Sequence, residues 1–181
     1  MNAAAFILRL FGWKVEVTVP DVPKSIICVA PHTSNWDFIL GELAYTSVGR
    51  KAGFLMKDTW FFWPLGCLLR AIGGIAVPRR RKSSGSLTDF IVNKFNSSQR
   101  MTLAITPEGT RSRTSQWHTG FLHIAAEARV PIELGVLDFG SKRIMINRTF
   151  VPTGDVEADM RAIKDFYAPF KGKYPEKFTA E

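Results

Sequence analysis

The feature that most constrains this chain is an alternation. Short apolar runs, such as Ser25-Ile-Ile-Cys-Val-Ala30 between Pro23 and Pro31, and Met101-Thr-Leu-Ala-Ile105, are separated by segments whose apolar residues recur at helical spacing, as Leu87, Phe90, Ile91 and Phe95 do. An apolar run without polar alternation reads as a strand buried on both faces, and strands that alternate with helices lie largely parallel in one sheet. Further strands are expected at 15–19, 53–56, 75–77, 132–139 and 142–150. Helices are expected over 34–48, up to about Ile72, over 86–97, 119–129 and 156–168. The expectation is α/β: a single domain on a largely parallel central sheet flanked by helices, antiparallel only near its end. Phe6, Ile7, Leu10 and Phe11 share one stripe, so residues 1–14 are read as a short amphipathic helix in front of the α/β domain of residues 15–181.

Composition narrows the partners. The 181 residues are 46% apolar, enough for a sizeable core, and 24 Lys and Arg against 16 Asp and Glu give a net charge of +8. That excess predicts an anionic partner bearing phosphate, acidic lipid or nucleic acid. No helix-turn-helix or zinc pattern is present and basic residues do not interleave with aromatics, so nucleic acid is not expected. The longest run free of Asp, Glu, Lys and Arg, Thr114 to Ala126, is shorter than the roughly 20 residues that a spanning helix needs. Residues 1–13 lack the early charge and cleavage site of a signal peptide. Cys28 and Cys67 both sit in apolar stretches, which argues against a disulfide scaffold and fits a reducing compartment. The aromatic stretch Trp60-Phe-Phe-Trp-Pro-Leu65, continuing to Leu68 and Leu69, reads either as core or as an element dipping into a bilayer.

Three segments carry candidate chemistry, each at a strand end, where open α/β sheets gather ligands. In Pro31-His32-Thr-Ser-Asn-Trp-Asp37, Asp37 can reach back one turn to hold the His32 ring, giving a general base of fixed orientation. The same residues spell a capping box, with Ser34 as N-cap and Asp37 at the third position, and spacing alone leaves both readings open. In Thr106-Pro-Glu-Gly-Thr-Arg-Ser-Arg113, Gly109 allows close backbone approach to a ligand, Arg111 and Arg113 suit phosphate, and Thr110 and Ser112 add donors. Glu108, which would repel phosphate, is expected to orient an arginine or bind a ligand hydroxyl. In Gly73-Gly-Ile-Ala-Val-Pro-Arg79, Arg79 is the candidate ligand, and Arg80, Arg81 and Lys82 read as solvated charge. His118 and His123 lack a carboxylate or thiol between them, so no metal is expected.

His-x4-Asp, Gly-x5-Arg, Pro-Glu-Gly-Thr-Arg-Ser and Val130-Pro131-Ile132, in this order, resemble the blocks of the glycerolipid acyltransferases, above all the bacterial 1-acyl-glycerol-3-phosphate (lysophosphatidic acid) acyltransferases. The resemblance runs from about Ile26 to Leu137. It implies His32 as general base with Asp37 as partner; Arg79, Glu108, Gly109, Thr110 and Arg111 as the acceptor phosphate-binding group; and Val130-Pro131-Ile132 on the donor side. It also implies a thioester donor, acyl-CoA or acyl carrier protein, a lysophospholipid acceptor, no further cofactor, no covalent acyl-enzyme, and peripheral residence on the cytoplasmic face of an anionic membrane. Pro31 in place of an asparagine, Leu134 in place of a second proline and the short segment before His32 depart from the family pattern. The other function classes that the residues admit are a basic anion-binding module without catalysis and a thioester hydrolase using the same pair.

Overall fold

The computed structural model describes residues 2–77 and 86–181, so Arg79 to Lys82 lie outside the described residues. Seven strands form one sheet: β1 (Lys14–Val17), β2 (Lys24–Ala30), β3 (Gly53–Lys57), β4 (Gly74–Val77), β5 (Met101–Ile105), β6 (Ile132–Asp138) and β7 (Arg143–Phe150), in the order β1-β7-β6-β2-β5-β3-β4. Neighbours run parallel except β6 and β7, which are antiparallel, as expected for the end of the chain. The helices are α1 (Ala3–Leu10), α2 (Trp36–Ser47), α3 (Leu65–Ala71), α4 (Leu87–Ser97), α5 (Gly120–Ala128) and α6 (Val156–Tyr167).

The apolar run of β2 is explained by burial on two sides. Ile26, Cys28 and Ala30 join Leu103, Ile132 and Leu134 in a core covered by α4, α5 and α6, whose Phe95, Phe121 and Ile163 point inward. Ile27 and Val29 face the other way, toward α1 and α2, with Tyr45, Leu137 and Ile146. The fully buried Tyr167 hydroxyl is satisfied by donating to the Cys28 carbonyl. Burial pushes the Cys28 thiol far up, so Cys28 is an inert core residue.

The α1 helix packs by Ala4 and Leu8, and Asn2 ties it to the end of α2 by donating to the Thr46 and Ser47 carbonyls; Phe6, Ile7, Leu10 and Phe11, the expected stripe, lie exposed on its outer side. Other expectations are corrected. Trp60, Phe62, Trp63 and Leu68 are also exposed, whereas Leu69 is buried, so the core reading holds only for the inner face of α3. Cys67 is exposed on α3 rather than packed inside. Val130-Pro131-Ile132 enters β6 at the edge opposite His32: Ile132 pairs with Ile26, six residues before His32, roughly 20 Å away along the strand, and Pro131 O accepts from Ile26 N. These residues set strand register and fill the core instead of lining a donor site.

Candidate functional site

β2 and β5 are adjacent and parallel, with Cys28 paired to Ile105, so the segments that follow them leave the sheet side by side at its carboxyl edge. That topology brings together residues 76 apart: His32 N donates to Glu108 Oε2 at 2.7 Å. The first segment is a turn closed on its own carboxylate. Asp37 Oδ2 accepts from Thr33 N at 2.7 Å and Ser34 N at 2.8 Å, and Oδ1 accepts from Ser34 Oγ at 2.9 Å. His32 Nδ1 lies 3.1 Å from the same Oδ2, with the ring turned off the direct N–H···O line. Asp37 is 3% exposed, and the His32 side chain 18%. One carboxylate thus both approaches the His32 ring and closes the turn. The cap is displaced from the expected register: Ser34 Oγ accepts from Trp36 N, and Asn35 occupies the N-cap position without a side-chain cap bond.

The carboxyl-terminal segment braces this turn from outside. Tyr174 N donates to Thr33 Oγ1 at 3.2 Å, and a Cβ on Gly172 would come within 2.7 Å of the Thr33 side chain. Lys173 Nζ stands 5.1 Å from the Trp36 ring centroid.

The second segment is open. Thr110, Arg111, Ser112 and Arg113 are exposed, Thr110 Oγ1 accepts from Ser112 N, and Arg111 bonds Asn35 Oδ1 across the mouth of the site. Glu108 departs from the acceptor contact expected of it. It is turned inward, 5% exposed, beneath the His32 amide. Burial raises its carboxyl to about 8, offset in part by the bond from His32 N and augmented by the Asp37 charge. It holds the backbone at His32 through that bond.

Gly109 has φ +64, which favours glycine, and its bare Cα is covered by the ring of His118: a Cβ there would lie 2.5 Å from His118 Cδ2 and 2.6 Å from Nε2. The close approach foreseen for a ligand is thus made by a protein side chain. His118 N is anchored to Pro107 O at 2.7 Å. Sequence reasoning weighed His118 only as a metal ligand; its contact with Gly109 has no local signal beyond the glycine itself.

A cavity of about 1080 Å³ opens at this edge. His32, Asn35, Gly109, Arg111 and His118 line its polar part, while Ile27, Phe38, Phe54, Leu137 and Ile146 are among the apolar residues lining the rest. Of the expected site residues, His32, Asp37, Gly109 and Arg111 meet in this cavity; Glu108 supports it from below, Thr110 stands outside it, and Arg79 falls outside the described residues.

The family model for acyltransferases matches residues 14–133, a span that holds both segments of the site. The chain belongs to the acyltransferase family. Two acyltransferase relatives, both 1-acyl-sn-glycerol-3-phosphate acyltransferases, set the level of similarity. That of Escherichia coli strain K12 is 32% identical over 152 residues, and that of Salmonella typhimurium strain LT2 is 29% identical over 150 residues; each alignment covers 77% of this chain and 58% of the relative. The chain thus spans a little over half the length of the curated acyltransferases it matches. Among the described residues, no helix is long and apolar enough to cross a membrane.

Proposed function

We propose that the protein transfers a fatty acyl group from a thioester donor, acyl-CoA or acyl carrier protein, to the free hydroxyl of a lysophospholipid, with 1-acyl-glycerol-3-phosphate the preferred acceptor. The observation that carries this reading is a histidine held by a buried carboxylate at the rim of a large, mainly apolar cavity. His32 Nε2 takes the proton of the acceptor hydroxyl as its oxygen attacks the thioester carbonyl carbon. The C–O bond forms, the C–S bond breaks, and the departing thiolate recovers the proton from the imidazolium. Asp37, 3.1 Å from Nδ1, stabilises the charged form of the ring and bonds Nδ1–H once the ring turns into line; such base catalysis contributes about 10²- to 10⁴-fold. Charge-assisted bonds from Arg111, and by family resemblance Arg79, serve the acceptor phosphate.

The acceptor and donor reach this site from a membrane surface. Phe6, Leu10 and Phe11 on α1 and Trp60, Phe62 and Trp63 before α3 are exposed apolar groups suited to the lipid interface, and the net charge of +8 favours anionic lipid, in keeping with peripheral residence on the cytoplasmic face. Sedimentation with acidic liposomes, weakened by high salt and by Leu10→Ser/Phe11→Ser, is the expected behaviour; salt-independent binding by that variant would move the anchor elsewhere.

The test of function is a panel of lysolipids assayed with coenzyme A and carrier-protein thioesters. Acyl chains recovered on lysophosphatidate, in preference to lysolipids lacking a phosphate monoester, support the proposal. Recovery as free fatty acid would make the protein a hydrolase, and no thioester consumption would leave a binding module.

A further inference from the structure

One carboxyl in the cavity, that of Glu42, takes no part in the chemistry above. Glu42 lies on α2 five residues past Asp37, about 7.5 Å further along the helix axis. It follows Phe38 by four residues, so it shares the helix stripe of Phe38, whose ring packs edge-on against Phe54 of β3 at 4.7 Å. This places Glu42 over the β3 side of the sheet, where Phe38, Ile39, Phe54 and Ala104 make the cavity lining apolar.

Among the fully buried carboxylates, Asp37 accepts three hydrogen bonds, Glu108 accepts from His32 N and Asp159 accepts from Thr153 N and Oγ1; Glu133 interacts with Ser25 but keeps Oε2 without a partner, and it lies outside the cavity lining. Glu42 has no hydrogen-bond or ion-pair partner among the described residues, and the space it lines is the cavity. Burial alone raises its carboxyl to about 7, so near neutral pH it can either donate or accept. Glu42 is half-buried, and a ligand group that displaces water from its carboxyl in these partly apolar surroundings gains a hydrogen bond there.

We propose that Glu42 forms a polar subsite inside the acyl cavity and that the acyl group taken there carries a hydroxyl along its chain. The proposal rests on the acyl-transfer reading of the cavity. A hydroxyl is the matching chemistry because it exchanges hydrogen bonds with a carboxyl in either protonation state, and because the surrounding lining suits an aliphatic chain on both sides of it.

The experiment compares hexadecanoyl-CoA with hydroxyhexadecanoyl-CoAs whose hydroxyl is stepped along the chain, using lysophosphatidate as acceptor and the wild type, Glu42→Gln and Glu42→Leu as enzymes. The wild type is expected to favour one hydroxyl position over the plain chain by about tenfold in kcat/KM. Glu42→Gln keeps that preference, and Glu42→Leu loses it and favours the plain chain. Equal use of plain and hydroxylated donors by the wild type, or the same preference in Glu42→Leu, would overturn the proposal. If no donor is turned over, the acyl-transfer reading fails, and thermal shifts with free hexadecanoic and hydroxyhexadecanoic acids still decide the subsite. A larger shift with one hydroxy acid, lost in Glu42→Leu, upholds it, and equal shifts reject it.

Discussion

The turn after β2 and the loop after β5 leave neighbouring parallel strands at one edge of the sheet, yet they are built in opposite ways. In the turn, Thr33, Ser34 and Asp37 are buried, and the Asp37 carboxylate is filled by Thr33 N, Ser34 N and Ser34 Oγ. In the loop, Thr110 to Arg113 are exposed, and Glu108 is the member that faces inward, bonded to the turn. A closed turn holds a reacting group in one orientation; an open loop offers cations that a ligand can engage. On the proposed function, the turn serves the chemical step and the loop acceptor binding, with Glu108 as the strut between them. Changes in the turn should lower kcat, changes in the loop should raise KM, and changes in the strut should touch both.

Asp37→Asn carries the largest expected effect short of losing the histidine. Asparagine can still accept from Thr33 N and Ser34 N, so the fold persists, but the charge that stabilises an imidazolium is gone. Steady-state kinetics should show kcat down by about 10²- to 10⁴-fold with little change in acceptor KM. A rise in KM alone would break the division of labour between the two segments.

Glu108 comes next. Glu108→Leu leaves the buried His32 amide without its acceptor, an expected loss of about 1–3 kcal/mol in denaturant unfolding and a drop in both kinetic parameters. Glu108→Gln keeps the acceptor and most of the activity, and it separates the effect of charge. Because the folded-state value of about 8 lies above that of an exposed glutamate, the native state holds this proton more tightly than the unfolded chain does. Its stabilisation is complete below the ordinary glutamate range, declines as pH rises and is gone above about 8. The wild-type melting temperature should fall between pH 5 and 8, and Glu108→Gln should flatten that slope, leaving the part that Glu42 and Glu133, whose carboxyls burial also raises, contribute. An identical slope in Glu108→Gln would show that the strut is not protonated as described.

His118→Leu is the smallest and most selective change. The ring covers Gly109 and shares the polar end of the cavity with Arg111. Its loss should raise KM about three- to tenfold for an acceptor with a phosphate monoester, roughly the worth of one hydrogen bond, and leave kcat near the wild type. His118→Gln, which keeps a donor, should recover most of it. Equal KM values for His118→Leu and the wild type would leave the ring as a cover for Gly109 only.

What could be read from the sequence follows the range of each interaction. The strands and helices were legible because burial on two faces leaves runs such as Ser25–Ala30, and burial on one face leaves helical periodicity, as in α4. The His32–Asp37 pair was legible because both partners lie within one turn of chain. The contacts of Glu108 with His32 and of Gly172 with Thr33 depend on how distant segments meet at the sheet edge, and no spacing encodes them. The family resemblance located Glu108 in the site but not its direction, since a carboxylate's partner is set by the neighbouring strand. The aromatic stretch was ambiguous because Trp and Phe serve cores and lipid interfaces alike; the structure leaves Trp60, Phe62 and Trp63 exposed.

The central claim, that His32 is the base for acyl transfer, is tested most directly by His32→Ala assayed for phosphatidate formed from lysophosphatidate and an acyl thioester, alongside its melting temperature. His32 follows the end of β2 rather than lying within it, so the variant should fold with a melting temperature close to the wild type. Its product formation should fall by at least about 10²-fold. Transfer at the wild-type rate by a folded His32→Ala protein would contradict the account.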